Sequence, residues 1–341
     1  MKNKEVIVWF ELRNYIQKIR PYTFIIGGRG IGKTFGTIDL FMDQNFMKGA
    51  PFIYMRNKSI QLKESATQFG NPFKKWNKLR GRNVQIVSES EHYIISEKIY
   101  EGNKVAKETV YGYACSLSTF ENLRGVDLSD VKYVLFDEFI ELSTLTFDQF
   151  ATFSNFYETV NRDRELEGEE PLKVIFLSNA QKLDNPILAK YGLITIIEEM
   201  IKNGIETRVS RDCTIMLPKS NVSELKKDTA LYRMTAGTEF YDEAINNSFA
   251  NDSFTGIKRR KIIEYVGVCK IDDIYLYRHK HDNHYYLTNT RVLNVPEFSS
   301  RDQRLLFMHH YGLKLIEMYA AGRLYFENFT IKSKIMDILN Y

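Results

Sequence analysis

Eight residues, GGRGIGKT from Gly27 to Thr34, place four glycines around one lysine and end on a hydroxyl. They fit the pattern G-x-x-x-x-G-K-[ST], with Gly27, Gly32, Lys33 and Thr34 in the fixed positions. Small residues let the backbone N–H groups of Gly28, Arg29, Gly30 and Ile31 turn inward around phosphate oxygens, and a helix N-terminus behind them adds positive potential. In that setting Lys33 neutralises the β- and γ-phosphates of ATP and Thr34 ligates Mg²⁺. A second set of chemistry-bearing residues closes the run VKYVLFDEF, where Asp137 and Glu138 end a continuous apolar run. Carboxylates leaving the carboxyl end of a buried parallel strand reach the edge where ligands bind. Asp137 is then expected to hold Mg²⁺ and Glu138 to polarise the attacking water. A third run, LKVIFLSNA, delivers Ser178 and Asn179 to the corresponding edge, within reach of a γ-phosphate or the lytic water.

Arginines with room to act between subunits are Arg162 and Arg164, in NRDRELEGEEP after the helical pattern that follows the acids, and Arg124, in STFENLRGVDLSD ahead of them. An arginine supplied in trans stabilises transition-state charge; a surface salt bridge accounts for any of the three equally well on spacing alone. Three basic clusters suit a polyanion: KKWNKLRGR, with Lys74, Lys75, Lys78, Arg80 and Arg82; Lys226 with Lys227; and KRRK, with Arg259 and Arg260. Such clusters bind phosphate without reading bases. Arg20, Pro21 and Tyr22, just before the first strand, are candidates for stacking on a nucleotide base.

These groups need elements to position them. Between residues 22 and 200, strand-like runs alternate with helical patterns: YTFIIG then KTFGTIDLFMDQNF, PFIYMR then SIQLKESATQFG, VKYVLFDEF then FDQFATFSNFYETV, LKVIFLSNA then a segment opened by Pro186. That alternation predicts a mainly parallel sheet covered by helices. VQIVS, HYIISEKIY and TVYGYACSLS read as further strands, with a hairpin turn at residues 101–103. The pattern weakens over 203–240, which reads as a linker with some helix, and KIIEYVGVCKI, DDIYLYRHKH and HYYLTNTRVLNV then read as strands before a helix over RLLFMHHYGLKLIEMYAAG. The expected organisation is an α/β ATPase domain over 1–202, a linker over 203–240 and a smaller α+β domain over 241–341.

With GGRGIGKT, the LRG element, VLFDEF and FLSNA in place, residues 20–190 resemble the ATPase domain of viral DNA-packaging motors, the large-terminase group, and within it the small podovirus encapsidation ATPases of the phi29 type. The resemblance implies a P-loop ATPase fold of the ASCE type and a homo-oligomeric, pentameric ring docked on the portal of a procapsid. It also implies double-stranded DNA as the translocated substrate and, in this branch, a structural RNA that can mediate docking. Larger terminases carry an RNase H-like nuclease with clustered carboxylates after the ATPase. Here Asp252, Asp272, Asp273, Asp282 and Asp302 form no evident set, so a vestigial nuclease is expected. Alternatives are a packaging endonuclease with an active C-terminal nuclease and a helicase-like DNA translocase.

Composition narrows the classes. The chain has 341 residues, 44% hydrophobic and 26% charged, the balance of a folded protein with more than one core. A net charge of +4 permits a polyanionic partner without demanding one. Cys115, Cys213 and Cys269 are scattered, which argues against a disulfide framework or a zinc site. The opening MKNKEVIVWFELRN lacks a signal-peptide pattern and no apolar run reaches membrane-spanning length, so the expected location is the host cytoplasm. The 23 Phe and 21 Tyr are spread along the chain, as core residues are.

Overall fold

The computed structural model describes residues 7–89, 92–102, 104–123, 127–141, 145–179, 183, 185–236, 241 and 256–339. Nine strands form the main sheet: β1 (Tyr22–Gly27), β2 (Phe52–Arg56), β3 (Val84–Glu89), β4 (His92–Glu101), β5 (Lys104–Ser116), β6 (Tyr133–Asp137), β7 (Lys173–Asn179), β8 (Thr207–Val209) and β9 (Cys213–Met216). Their order is β3-β4-β5-β2-β6-β7-β1-β9-β8. The six strands from β5 to β9 in that order pair in parallel, and antiparallel pairs finish both ends. The apolar runs in β1, β2, β6 and β7 are continuous because both faces of these strands are covered.

Helices α1 (Lys33–Phe41), α2 (Gln44–Met47), α3 (Ser59–Ser65), α4 (Lys74–Arg80) and α5 (Gln149–Asn161) connect them. On one face Ile25, Leu135 and Ile175 pack with Ile38, Leu40 and Phe41 of α1. On the other, alternate strand positions present Phe24, Phe136 and Phe176 to Phe153 of α5. Phe24 stacks on Phe176 at 4.3 Å between ring centroids, and Phe153 meets Phe176 edge-on at 5.1 Å. Each such pair contributes about 0.5–1.5 kcal/mol beyond its buried area. The high phenylalanine content therefore belongs to the core. Asp148 starts α5 by accepting the Ala151 N–H at 3.0 Å.

Two compact units divide the chain, one built from 1–182 with 200–250 and the other from 183–199 with 251–341. This corrects the expected linker over 203–240. β9 pairs in parallel with β1, Tyr22 opposite Cys213 and Ile25 opposite Met216, and β8 pairs antiparallel with β9. Both are short strands at a sheet end, so their periodicity is too brief to separate from coil. Residues 183–199, with α6 (Pro186–Lys190) and most of α7 (Leu193–Lys202), group with the second unit rather than with the ATPase domain expected to end at 202. Helices α8 (Val222–Lys226) and α9 (Ala230–Met234) follow β9.

The second unit is α+β, as expected. Its sheet runs β13-β10-β11-β12-β14, where β10 (Tyr265–Ile271), β11 (Ile274–His279) and β12 (Tyr285–Thr288) form an antiparallel meander. β13 (Glu297–Phe298) and β14 (Leu324–Phe326) pair in parallel with β10 and β12. Cys269, Ile271, Leu276 and Leu287 pack against Phe307, Leu315 and Ile335 from the helices Arg301–Phe307, Leu313–Ala320 and Phe329–Leu339. Ser300 and Gln303 form a capping box at the first of these helices. Among the described residues no helix is long and apolar enough to cross a membrane.

One glycine is required by close approach. A Cβ on Gly112 of β5 would lie 1.9 Å from the Phe52 carbonyl oxygen of β2, and backbone cannot yield as a side chain can. Gly112→Ala is expected to lower stability by about 1–3 kcal/mol, read as a fall in the urea midpoint with an unchanged slope.

Candidate functional site

Strand register builds the site. Gly27, the last residue of β1, lies opposite Asn179, the last of β7, while Asp137 of β6 lies opposite Leu177 and Met55 of β2 opposite Phe136. The carboxyl ends of β1, β7, β6 and β2 therefore open on one edge. There the loop from Gly28 to Gly32 turns through Gly30 at φ 70° and Gly32 at φ 104°, and Gly32 caps α1 in the left-handed region. Ile31 is fully buried, and its carbonyl accepts the Phe10 N–H at 2.8 Å, which ties the loop to the core.

Lys33 is the first residue of α1 and only 7% exposed. Its ammonium donates to the carbonyls of Gly28 and Gly27 at 2.7 and 2.9 Å and to Asn179 Oδ1 at 3.2 Å. Burial pushes its pKa down to about 8, against the opposing pull of Asp137. Thr34 Oγ1 donates to Asp137 Oδ1 at 3.0 Å. Burial raises the Asp137 pKa, while the nearby Arg56 cation acts against the rise. A cavity of about 580 Å³ spans this edge, lined by Gly30, Gly32, Lys33, Thr34, Asp137, Glu138, Ser178 and Asn179 together with Arg29 and Trp9. The phosphate-loop residues, the acids and the polar end of β7 thus share one cavity. Lys226 of α8 also reaches this loop, donating to the Arg29 carbonyl oxygen.

Sequence reasoning missed Arg56. It ends β2, and its guanidinium contacts Glu138 Oε2 at 2.6 Å and Asp137 Oδ2 at 3.6 Å. Burial alone would lower its pKa; Tyr54, Asp137 and Glu138 overcome this and raise it. Tyr54, also on β2, donates to Asp137 Oδ2 at 3.3 Å. Glu138 has φ 52°, which swings its half-exposed side chain off the strand direction. Behind it, the buried Asn57 amide donates to the carbonyls of Glu138 and Phe139, and Gln149 of α5 donates to Asn57 Oδ1 at 2.7 Å. The signal available in the sequence was an arginine closing an apolar strand, as Asp137 closes another.

Other expected residues lie elsewhere. Arg164 is buried, and it donates to the carbonyls of Leu128 and Ser129 ahead of β6, at the amino edge of the sheet, opposite the phosphate loop. It therefore fastens its own loop and is not presented to a neighbouring subunit. Arg162 is exposed on that loop, with φ 47°, whereas Arg124 lies outside the described residues. Tyr22 begins β1, also at the amino edge, and stacks on Tyr157 at 5.0 Å, and Arg20 donates to the Gln17 and Ile19 carbonyls. The expected base-stacking set is thus away from the cavity, which Trp9 lines instead.

The cluster over 74–82 is split by α4. Lys75 Nζ lies 4.6 Å from the Trp9 ring centroid and faces the cavity. Arg80 pairs with Asp39 at 2.8 Å. Arg82 forks onto Glu97, which is largely buried, and donates to Tyr111 Oη at 2.6 Å; hydrogen bonding from Arg82 holds the Glu97 carboxyl below its usual range. Lys74 and Lys78 are exposed. In the second unit Arg259 is exposed, 3.9 Å from Glu327, and Arg260 covers the Tyr325 ring at 4.0 Å. Asp272 pairs with Arg304 and Asp273 with Lys334, so these carboxylates neutralise cations rather than converge. Asp252 lies outside the described residues.

Comparison with known proteins places this geometry. The family model described as podovirus DNA encapsidation protein (Gp16) matches residues 5–339. The chain belongs to that family. It is 26% identical over 246 residues to the DNA packaging proteins of Bacillus phages PZA and phi29, a match covering 71% of this chain and 66% of each relative, just under two thirds of their length. Its fold is similar to that in the phi-29 viral genome packaging motor assembly, with a TM-score of 0.61 at 21% identity over 98% of this chain and 99% of the other. The phi-28 gp11 DNA packaging motor gives 0.57 at 20% identity, with 98% of both chains covered.

The lowered pKa of Lys33 would make binding of phosphate groups in this cavity proton-linked. Phosphate oxygens favour the charged ammonium and raise its pKa, so binding takes up protons at and above about pH 8 and weakens as pH rises through that value. Calorimetric titration with a non-hydrolysable ATP analogue near pH 8.5, in two buffers of different ionisation enthalpy, should show an uptake approaching one proton per site. Lys33→Ala should remove the uptake along with most of the affinity.

Proposed function

We propose that this chain is an ATP-hydrolysing motor that moves double-stranded viral DNA into a preformed procapsid. The observation that carries the reading is the convergence of Lys33, Thr34, Asp137, Glu138 and Asn179 on one cavity at the carboxyl edge of the sheet. Membership of the encapsidation family supplies the choice of substrate.

In this reading the backbone of residues 27–32 and the Lys33 ammonium bind the phosphates of ATP, and Asn179 steers that ammonium. Thr34 and Asp137 fit Mg²⁺, because a hydroxyl and a carboxylate oxygen already meet at 3.0 Å beside the cavity. The ion supplies neutralisation of phosphate charge. Glu138 takes the proton of the attacking water, which requires that its carboxylate leave Arg56. The ion pair therefore holds the base in reserve, and its release returns a cation to the Asp137 side of the site. Ser178 closes the same edge.

Subunits assemble into a homo-oligomeric ring, pentameric in the reading favoured here, with exposed Arg162 as the residue offered to a neighbour's nucleotide. Arg124 stays a second candidate for that role. Among the expected DNA contacts, Lys74, Lys78 and Arg259 are exposed and available to DNA phosphates. The remaining partners are the portal of the procapsid and a structural RNA, and the place of action is the portal vertex in the host cytoplasm. The second unit is a vestigial nuclease, since its Asp272 and Asp273 are consumed by Arg304 and Lys334.

The test is packaging of double-stranded DNA into purified procapsids with ATP. The parent chain should protect DNA from added nuclease, and Glu138→Gln should bind nucleotide normally while turnover and packaging fall at least about 100-fold. Turnover by Glu138→Gln at the parent rate would remove the assigned base. Mg²⁺-dependent nicking of DNA by the full chain would overturn the vestigial reading of the second unit.

A further inference from the structure

The β11–β12 turn carries the sequence His279-Lys280-His281-Asp282-Asn283-His284, and no step of the proposed motor uses it. The hairpin closes through the His279 N–H on the His284 carbonyl at 3.0 Å, which fixes the two histidines as cross-strand neighbours. Their imidazoles stack at 4.3 Å with 22° between planes. Asp282, at the exposed tip, folds back so that its Oδ2 lies 3.4 Å from His279 Nδ1. One ligand atom from each of His279, Asp282 and His284 falls within 4.8 Å of the others.

We propose that His279, Asp282 and His284 form a site for a divalent transition-metal cation of the zinc class. Ligands at about 2.0–2.1 Å in tetrahedral array stand roughly 3.4 Å apart. The His279–Asp282 separation already has that value, the other ligand separations lie within 4.8 Å, and the two imidazoles must turn out of their stack for both lone pairs to meet one ion. Two imidazole nitrogens and one carboxylate oxygen select a borderline cation such as Zn²⁺, Co²⁺ or Ni²⁺ over Mg²⁺ or Ca²⁺. Tyr265, itself buried, meets His284 Nε2 with its hydroxyl at 2.8 Å; in the tautomer where Nε2–H donates in that bond, Nδ1 of the same ring is the nitrogen open to a metal. Without metal the His279 Nδ1 lone pair accepts the Asp282 N–H at 2.9 Å, a hydrogen bond that ligation would have to displace. Three protein ligands leave the fourth position to water. Bound metal pins the turn onto Tyr265 of β10 and so braces the meander of the second unit.

The experiment uses the untagged full-length chain with Mg²⁺ in excess to occupy the phosphate-loop site, and Zn²⁺ and Co²⁺ as probes. Expected results are one Zn²⁺ bound per chain, visible Co²⁺ d–d absorption bleached by added Zn²⁺, and a Zn²⁺-dependent rise in melting temperature. His279→Gln and His284→Ala should abolish all three, with ATP turnover retained. Tyr265→Phe should weaken Zn²⁺ binding by about 10-fold with an unchanged circular dichroism spectrum, a readout that a purely packing role for Tyr265 would not move. Should His284→Ala fail to fold, His279→Gln and Asp282→Asn carry the test. Undiminished Zn²⁺ uptake by these variants, or no uptake by the parent at millimolar Zn²⁺, overturns the site.

Discussion

The Lys33 ammonium is held in the interior by two backbone carbonyls and an amide oxygen, all of them neutral. A desolvated cation in that setting favours an anion strongly, and burial, partly offset by Asp137, lowers its pKa to about 8. Its acceptors belong to two different strands, so the arrangement exists only while Gly27 and Asn179 remain opposite each other. Register in turn depends on the apolar packing of β1 and β7 on both faces, where Phe24 stacks on Phe176. The lysine site at the edge and phenylalanine packing in the middle of the sheet are thus one mechanical system.

The acids are organised by the next strand along. Asp137 is gripped by Thr34 from α1 and by Tyr54 and Arg56 from β2, while Glu138 is drawn aside to Arg56. The Glu138 carbonyl is also bound by Asn57, and Asn57 by Gln149. The acidic strand end is therefore tied to β2 through Tyr54 and Arg56 and to α5 through Asn57 and Gln149. Buried hydrogen-bond networks of this kind favour discrete arrangements over gradual ones, because a half-satisfied polar group is costly.

Legibility from sequence followed the range of the interactions. The phosphate loop needs positive φ at Gly30 and Gly32 and a lysine at the helix start, and all of these are local demands. Alternating strand and helix signals likewise gave the parallel sheet, since each buried strand shows itself as a short apolar run. The short strands β8 and β9 escaped because β9 joins the sheet by pairing with β1 across nearly two hundred residues, and β8 joins only through β9. Charge was the least legible property. Arg82, Arg80, Lys75 and Arg164 look alike in a row of letters, yet Glu97, Asp39, the Trp9 ring and two backbone carbonyls claim them.

By itself the sequence determined which residues could bind a triphosphate and that their strands would run parallel, because glycine freedom, side-chain chemistry and hydrophobic period are properties of neighbours along the chain. Tertiary structure alone decided that Arg56 guards Glu138, 82 residues away, and that Arg164 is a fastening while Arg162 is exposed. The physical reason is that the strength of a charge depends on its distance to other charges and on the water left around it, and both are set only once the strands have come together.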